Sequence, residues 1–430
     1  MKKIVNFAVI KQRTKRIASA PTLKTIAGLA GGNSLAMVIG VIGSLIQARF
    51  VTAADLGYFR SFAIITGYVF FLQLGFFDLL SRFYPYYMGK GQTERALSIA
   101  EIAQAWILSV TIIVNIVYIA FALFNLATGN WRGFLAWLVQ IISALSFFYG
   151  GYLAATYRSG RDFGVLARVS VFASIANLST LPVFLLQPYV ALTLRSCVGN
   201  VVNISLLHIK RPLRVAWRFT WREWRELVVV SLPMFAAGYG TSLGWIVIET
   251  TIVLHFLGTQ ALGLWTMSFL VLDASNNLAQ AIVAVYHPRI IEVFGRTESA
   301  RSSLAICRKP LLLSVPSMLL LAIIGIALLP LVIPVLMPNY VAAIPTMALM
   351  LLMLPLIVLE LPYALLAAMG KIAAQNAATY IGLASFAVLA LISINIGFGL
   401  TGVVACSLIG RAIRIAFIYY ILISIARKSN

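Results

Sequence analysis

Charged residues are scarce in this sequence, since Asp, Glu, Lys and Arg make up only 10% of its 430 residues and hydrophobic residues make up 61%. A soluble globular protein would lack enough polar surface to cover so much apolar material, which excludes that class. An apolar stretch of about 20 residues can cross a bilayer as a helix. The composition therefore predicts an all-α polytopic membrane protein.

Acidic residues are rarer still, with 12 Asp and Glu against 33 Lys and Arg, and the formal net charge is +21. The basic residues are dispersed among the connections between apolar stretches and form no recognisable nucleic-acid-binding module, so we predict no nucleic-acid partner. The three cysteines lie in or beside apolar stretches without CxxC spacing, and the three histidines are scattered. Neither a disulfide framework nor a metal site is indicated, and nothing points to a cofactor.

Twelve apolar stretches are separated by polar breaks and predict about twelve transmembrane helices. They cover residues 25–48, 57–81, 97–124, 133–157, 164–186, 189–209, 227–254, 262–286, 310–336, 343–368, 372–396 and 401–424. Lys and Arg concentrate in every second connection and in both terminal tails, as expected of the cytoplasmic side of a membrane. Both termini are therefore predicted to face the cytoplasm.

The two halves of the sequence resemble each other, which indicates an internal duplication. RFVTAADLGYF at residues 49–59 aligns with HFLGTQALGLW at residues 255–265 and pairs Gly57 with Gly263. Since each half holds an even number of spans, both halves enter the membrane from the same side, and the repeats are parallel. We predict two six-helix lobes with the substrate bound between them.

The predicted organisation has four parts. They are a basic cytoplasmic N-terminal arm at residues 1–24, an N-lobe at 25–209, a linker at 210–226, and a C-lobe with a short tail at 227–430. In the linker, arginines recur at helical spacing beside tryptophans, which predicts an amphipathic helix lying in the cytoplasmic interface. Such a helix would serve as a plain membrane anchor or would recruit a lipid-borne substrate or a partner enzyme.

Two arginines, Arg411 and Arg414, fall near the middle of the last predicted span. A charge at a helix centre costs roughly 2.5–3.5 kcal/mol on insertion scales, and a spacing of three puts both arginines on one side of the helix. The aligned positions in the first repeat, Asn200 and Asn203, are polar too. Because a guanidinium group can hold two phosphate oxygens at once, this side is predicted to face a cavity and bind an anionic headgroup, best a pyrophosphate. Further candidates for substrate binding are Arg195, Arg60 and Arg49.

Three carboxylates within the apolar stretches, Glu249, Asp273 and Glu360, are candidates for coupling transport to a proton or a sodium ion. Each charge moved across the membrane gains about 2.3 kcal/mol per 100 mV, which is enough to bias a transport cycle. Structural pairing with the arginines explains these acids equally well. Interhelical ion pairs, or snorkelling to the interface, would likewise explain Arg49 and Arg60.

Two segments carry a resemblance to a known family. QARFVTAADLGYFRSF at residues 47–62 and GFFDLLSRFYPYYMGKGQTERA at residues 75–96 resemble the first two spans of the Wzx-type polysaccharide flippases. These belong to the multidrug/oligosaccharidyl-lipid/polysaccharide (MOP) exporter superfamily, which includes the MATE exporters, and the layout of six plus six spans resembles that superfamily over the whole chain. The resemblance implies two six-helix lobes that alternate between inward and outward openings.

The same resemblance implies a function. Wzx-type flippases turn an undecaprenyl-pyrophosphate-linked oligosaccharide from the cytoplasmic to the outer leaflet of the bacterial inner membrane, for the synthesis of cell-surface polysaccharide. The implied partners are this lipid-linked oligosaccharide, membrane lipids, and the polysaccharide polymerase and export machinery. A transporter of this kind lowers a transfer barrier without bond chemistry and is not an enzyme.

Three alternatives remain open at this point. A multidrug exporter of the same fold would favour a cavity dominated by carboxylates, whereas the best-placed pair in this sequence is basic. Membrane glycosyltransferases and polymerases resemble one another in having a large extracytoplasmic loop. Every connection predicted to face outward in this sequence is short. A scaffold of a polysaccharide complex, without transport of its own, would tolerate the loss of Arg411.

Overall fold

The computed structural model describes residues 23–160 and 162–428, almost all of them helical and none in a β-strand. Ten helices within these ranges are long and apolar enough to cross a membrane. The prediction of an all-α polytopic membrane protein is therefore confirmed. The predicted N-terminal arm lies outside the described residues, apart from Leu23 and Lys24.

The helices are numbered here in chain order. The first eight are α1 (Leu23–Phe50), α2 (Ala53–Val69), α3 (Phe76–Gly89), α4 (Thr93–Ala127), α5 (Trp131–Leu145), α6 (Gly151–Ser159), α7 (Phe163–Ser179) and α8 (Pro188–Ile209). The others are α9 (Trp221–Thr241), α10 (Leu243–Thr297), α11 (Ala300–Leu336), α12 (Ile344–Leu351), α13 (Met353–Leu359), α14 (Tyr363–Ala368), α15 (Ile372–Asn395) and α16 (Gly399–Lys428). Short turns of 3₁₀-helix cover Phe70–Gln73, Leu181–Leu185 and Pro338–Ala343, and a π-helical turn covers Ser146–Gly150.

Each of the twelve predicted spans falls on helix in the structure. Two of them share the apolar stretch Gly238–Gln280, which covers the end of α9 and most of α10. Inside α10 the helix is interrupted at Gly258, at φ 83° and ψ −177°. A positive φ of this kind is open to glycine and strained for other residues, so Gly258 marks the boundary between the two predicted spans. The first predicted span corresponds to a shorter apolar helical stretch, Ser34–Phe50.

The prediction of a helix over the linker, residues 210–226, is wrong for most of that segment. Residues 211–220 are not helical, and α9 begins at Trp221. One side chain contacts this non-helical backbone, since the amide nitrogen of Gln104 donates to the carbonyl oxygen of Val215 at 3.5 Å. At the start of α9, the ring of Trp224 stacks on Trp221 at 4.6 Å and contacts Trp106 at 4.9 Å between centroids. These three tryptophans form an aromatic cluster at the point where the helix begins.

Contacts divide the chain into two compact units. Unit 1 comprises the described residues of Met1–Gly43, Leu72–Val183 and Val190–Ser231, and unit 2 comprises those of Ser44–Phe71, Phe184–Tyr189 and Leu232–Asn430. The lobe boundaries drawn from the sequence repeats stay a prediction.

Unit 1 is built on close packing between α3, α6 and α8. A Cβ atom on Gly151 would lie 2.6 Å from the ring of Phe77, so the glycine lets α6 approach α3. Nearby, the Ser159 hydroxyl donates to the carbonyl oxygen of Leu80 at 3.1 Å, and the Tyr157 hydroxyl donates to that of Leu207 at 3.0 Å. Side-chain hydrogen bonds to backbone carbonyls join helices where hydrocarbon offers no other partner.

Unit 2 contains a close crossing of α2 and α10, made by the two glycines that the sequence repeat aligns. A Cβ atom on Gly57 would overlap the carbonyl oxygen of Thr259, and one on Gly263 would overlap that of Ala53. Each helix therefore presents two small residues four positions apart, which is the pattern that brings membrane helices into backbone contact. The duplicated motif is explained by packing at this crossing.

Replacing Gly57 by alanine is expected to lower the thermal stability of the protein in detergent, because the added methyl group forces two backbones apart. Overpacking of this kind costs about 1–3 kcal/mol. The measurement is the unfolding temperature, followed by tryptophan fluorescence or circular dichroism. Gly164→Ala is the matched control, since a Cβ atom on Gly164 meets no heavy atom within 4 Å. Equal unfolding temperatures for the two variants would contradict the proposed role of the crossing.

Candidate functional site

The two arginines of α16 lie where this helix packs most tightly against α15. A Cβ atom on Gly382 would lie 2.7 Å from the Cβ of Arg414 and 2.9 Å from the carbonyl oxygen of Gly410. A Cβ atom on Gly410 would in turn lie 2.8 Å from the carbonyl oxygen of Gly382. The glycines let the two backbones come together, and the side chain of Arg414 is enclosed beside them with only 1% of its surface exposed.

Arg414 is paired with one of the predicted acids. Its Nη2 atom forms an ion pair with Oε1 of Glu360, whose side chain is 26% exposed. Glu360 lies in the break between α13 and α14, where Pro362 follows it. The guanidinium carbon also lies 5.7 Å from the ring centroid of Tyr363, a cation–π contact on the far side of the same break. Thus the break positions both a carboxylate and an aromatic face against Arg414.

This ion pair does not satisfy the whole guanidinium group. The Nε and Nη1 atoms of Arg414 are buried and make no hydrogen bond within the described residues. Buried donors nearly always have a partner, and leaving one without a partner costs about 1–3 kcal/mol. Two nitrogens of this cation are therefore free to donate to an acceptor that the described residues do not supply.

Arg411 lies one turn before Arg414 and rests on a tryptophan. Its guanidinium carbon is 4.6 Å from the ring centroid of Trp245, which is fully buried. Its Nε atom is likewise buried without a hydrogen-bond partner in the described part of the chain. Arg411 also attracts Glu249 electrostatically. A cation over a desolvated indole ring gains about 2 kcal/mol, so the ring replaces part of the hydration that Arg411 loses.

Glu249 is held by a chain of three hydrogen bonds. The indole N–H of Trp265 donates to its Oε1 at 3.0 Å, and the hydroxyl of Ser407 donates to its Oε2 at 3.0 Å. The same hydroxyl accepts from the indole N–H of Trp245 at 3.0 Å. With 2% of its surface exposed, Glu249 is a deeply buried carboxylate whose oxygens both have donors. The network fixes the ring on which Arg411 rests.

These contacts place the predicted residues Arg411, Arg414, Glu249 and Glu360 in one cluster within unit 2, which we call the arginine cluster together with Trp245, Trp265, Ser407 and Tyr363. On α16 the polar members recur at intervals of four and three residues, which puts them on one helix face. Sequence reasoning identified the charged members and missed the other four. A signal was present, since Trp245 precedes Glu249 by four residues and Ser407 precedes Arg411 by four.

The sequence also predicted that both arginines face a cavity. The structure differs for Arg414, whose side chain is enclosed by the packing at Gly382 and by Glu360. Arg411 is half-buried. Access of a ligand to Arg414 would thus require movement at the break that carries Glu360.

Other predicted residues of unit 2 lie apart from the arginine cluster. Arg49, at the end of α1, has an exposed side chain, and its carbonyl oxygen accepts from the Asn339 amide at 3.3 Å. Arg60 and Asp273 are exposed as well. None of these three side chains is joined to the cluster by a hydrogen bond or an ion pair among the described residues.

The predicted residues of unit 1 are engaged locally. Arg195 donates from Nη1 to the carbonyl oxygen of Gly43 at 3.1 Å and from Nη2 to that of Gly40 at 3.3 Å. The Asn200 amide donates to the Ser143 hydroxyl at 3.4 Å, just before the π-helical turn. Asn203 is half-buried. Arg195 thus connects α8 to the backbone of α1, so its role in unit 1 includes helix packing.

The buried indole of Trp265 offers a direct test of the network around Glu249. Trp265→Phe is expected to lower the unfolding temperature in detergent, because the Oε1 atom of Glu249 then loses its donor, at a cost of about 1–3 kcal/mol. The matched control is Trp217→Phe, since Trp217 is 57% exposed. If both variants unfold at the wild-type temperature, the Trp265 hydrogen bond contributes nothing measurable.

Comparison with solved structures shows the fold. The chain matches an inward-facing MATE family multidrug resistance transporter of the MOP superfamily with a TM-score of 0.69 at 14% sequence identity, over 90% of this chain and 96% of that chain. It matches the lipid II flippase MurJ in an inward closed conformation with a TM-score of 0.70 at 14% identity, over 93% and 90% of the two chains. The chain has the fold of the MOP superfamily transporters.

A third match is a transporter whose binding pocket has a reversed polarity. It is a MOP superfamily transporter from Pyrococcus furiosus, with a TM-score of 0.61 at 15% identity over 95% of this chain and 96% of that chain, for which a reversed polarity of the binding pocket suggests a different function. Models of known protein families give no match, and curated protein sequences give none either. Since the identities are this low, the similarity extends to the fold and leaves the substrate open.

Proposed function

We propose that this MOP-fold protein is a flippase that moves an undecaprenyl-pyrophosphate-linked oligosaccharide from the cytoplasmic to the outer leaflet of a bacterial inner membrane by alternating access. The observation that carries the proposal is that two buried nitrogens of Arg414 have no hydrogen-bond partner among the described residues, one turn from the unpartnered Nε of Arg411. In this proposal both termini lie in the cytoplasm, and the polysaccharide polymerase and export machinery are the partners that receive the product.

The chemistry of the arginine cluster favours an anionic ligand. Bonds from guanidinium to phosphate are charge-assisted, and the fork of an arginine can hold two oxygens at once. A pyrophosphate presents oxygens on two neighbouring phosphorus atoms, which suits two arginines that are one helical turn apart. Without such a site, moving the charged headgroup and its sugars through hydrocarbon would be prohibitive.

In the proposed transport cycle, Glu360 and the substrate compete for Arg414. In the structure it occupies one nitrogen of Arg414, and a pyrophosphate arriving at Arg414 would compete with it. A ligand shifts a conformational equilibrium only through its different affinity for the two states, and displacement of a carboxylate from the cation supplies such a difference. Protonation of Glu360 would also weaken its ion pair with Arg414, and would thereby favour the same conformational state as substrate binding. We therefore propose Glu360 as the ion-coupling residue. Glu249, which already has two donors, serves to position Arg411.

A cation-coupled multidrug exporter is the second candidate, and the MATE structures support its fold as well as MurJ supports the first. The specific observation in its favour is the buried Glu249 carboxylate. Against it stands the composition of the arginine cluster, which has two arginines and two carboxylates and leaves unpartnered donors only on the arginines. A cationic drug would have to compete with these two arginines for the carboxylates.

The two functions are separated by a transport assay with the wild-type protein in liposomes. One set of vesicles contains a fluorescent lipid-pyrophosphate oligosaccharide, and accessibility of the label to a membrane-impermeant quencher reports flipping. A second set contains a cationic dye, whose movement across the membrane reports drug transport. We expect flipping above the rate of protein-free vesicles and no transport of the dye. Dye transport without flipping would reject the proposal in favour of the exporter.

A further inference from the structure

Unit 2 contains an apolar cavity of about 500 Å³ that the arginine cluster does not use. One face of α11 lines it through Leu304, Leu311 and Val315, which are spaced at intervals of seven and four residues, as a helix face requires. Leu359 and Pro362, which flank the break at Glu360, line it from another side. Drug-sized ligands occupy pockets of about 300–1,000 Å³, so the cavity is large enough for a ligand.

The position of the cavity decides what kind of ligand can reach it. It is formed by α11, by the break between α13 and α14, and by α16, and α11 and α16 both contain candidate membrane spans. In a bilayer, such an apolar groove is filled by hydrocarbon, because lipid chains surround the helices and water does not.

One charged side chain lines the cavity. Arg308 lies in the third turn of α11, close to the start of that helix, and its side chain is exposed. It makes no hydrogen bond or ion pair within the described residues, so its guanidinium group is available to an anion. An arginine near a helix end at the membrane interface meets the phosphate groups of lipids.

The cavity is also lined by a tyrosine that lacks a partner. Tyr419 of α16 contributes to the lining, and its hydroxyl is buried without a hydrogen bond in the described part of the chain. A tyrosine hydroxyl that is buried normally finds an acceptor. A small rotation of the side chain into the cavity would let it donate to a carbonyl oxygen of a bound ligand.

We propose that this cavity binds one anionic glycerophospholipid. Its acyl chain fills the groove along Leu311 and Val315, its phosphate lies on Arg308, and one ester carbonyl accepts from the hydroxyl of Tyr419. The tyrosine distinguishes this occupant from a polyisoprenyl phosphate, which has a phosphate and a long chain but no ester carbonyl. The site is separate from the proposed transport function, although it borders the break that holds Glu360.

The proposal is tested by measuring the affinity of the full-length protein in detergent for phosphatidylglycerol by native mass spectrometry. Arg308→Gln is expected to weaken binding about tenfold, through loss of a charge-assisted bond, and Tyr419→Phe about threefold. Leu311→Trp fills the groove and is expected to abolish binding. The matched controls, Lys309→Gln and Leu313→Trp, change neighbouring residues of α11 that do not line the cavity, and Leu313 is 73% exposed. Both controls should bind like the wild type.

Two further lipids complete the test. Undecaprenyl phosphate should bind more weakly than phosphatidylglycerol and should be insensitive to Tyr419→Phe. Zwitterionic phosphatidylcholine should bind more weakly and be less sensitive to Arg308→Gln. Undecaprenyl phosphate binding as tightly as phosphatidylglycerol, or no effect of Arg308→Gln and Tyr419→Phe on phosphatidylglycerol, would overturn the proposal. Because both of these substitutions are conservative, they decide the matter even if Leu311→Trp fails to fold.

Discussion

Replacing Arg414 by glutamine is expected to reduce flipping of a lipid-pyrophosphate oligosaccharide by roughly 100-fold, because at least two charge-assisted hydrogen bonds to the headgroup are lost at about 1.5–3 kcal/mol each. Glutamine keeps a polar group on a shorter side chain and removes the charge. The measurement is the quenching assay in liposomes, with the amount of reconstituted protein determined for each variant. Arg411→Gln is expected to have a smaller effect, since only one nitrogen of Arg411 is buried without a partner.

Two variants make this result interpretable. Arg427→Gln removes an exposed arginine near the end of the same helix and should leave flipping unchanged. Arg414→Lys keeps the charge and loses the fork, so intermediate activity is expected if the site grips two oxygens. Full activity of Arg414→Gln at wild-type protein levels would show that the arginine cluster is a packing element and does not bind the substrate.

The sequence alone could predict the class of the fold because the relevant signal is local. Twelve apolar stretches are visible in the sequence, and each falls on helix in the structure. The close crossing at Gly57 and Gly263 was visible as a repeated motif, although only the structure shows that the two copies contact each other. The linker was mispredicted because arginine spacing indicates a helix, whereas residues 211–220 have no helical backbone.

The candidate site was predictable in part for the same reason. Arg411 and Arg414 stand out because charges in an apolar helix are rare, and pairing with acids was one of two interpretations. Their actual partners lie in other parts of the sequence, since Arg411 rests on Trp245 and Arg414 pairs with Glu360. Ser407, one turn before Arg411, bonds to Glu249, which is 158 residues away. No periodicity within one helix reports such contacts. The burial of Arg414 depends on glycines in two different helices and could not be predicted from either.

Removing Glu360 is expected to have the largest effect on stability. Glu360→Ala leaves the charge of Arg414, which is 1% exposed, without its carboxylate. Breaking a buried ion pair by removing one partner costs about 3–5 kcal/mol, and because Glu360 itself is partly exposed we expect the lower end of this range, about 3 kcal/mol. The measurement is the unfolding free energy or, where unfolding in detergent is irreversible, the inactivation temperature. Glu292→Ala, which breaks an exposed ion pair with Arg296, is the matched control and should be nearly neutral.

A double variant separates the structural role of the pair from its role in transport. Replacing both partners of a buried ion pair by apolar residues of similar size is often neutral or stabilising, so Glu360→Leu with Arg414→Met should recover most of the stability that Glu360→Ala loses. If Arg414 binds the headgroup, this stable double variant should still fail to flip the lipid. A stable double variant with normal flipping would mean that the pair only holds unit 2 together. The basic residue that binds the headgroup must then lie elsewhere, and the exposed Arg60 of α2 is the next residue to replace.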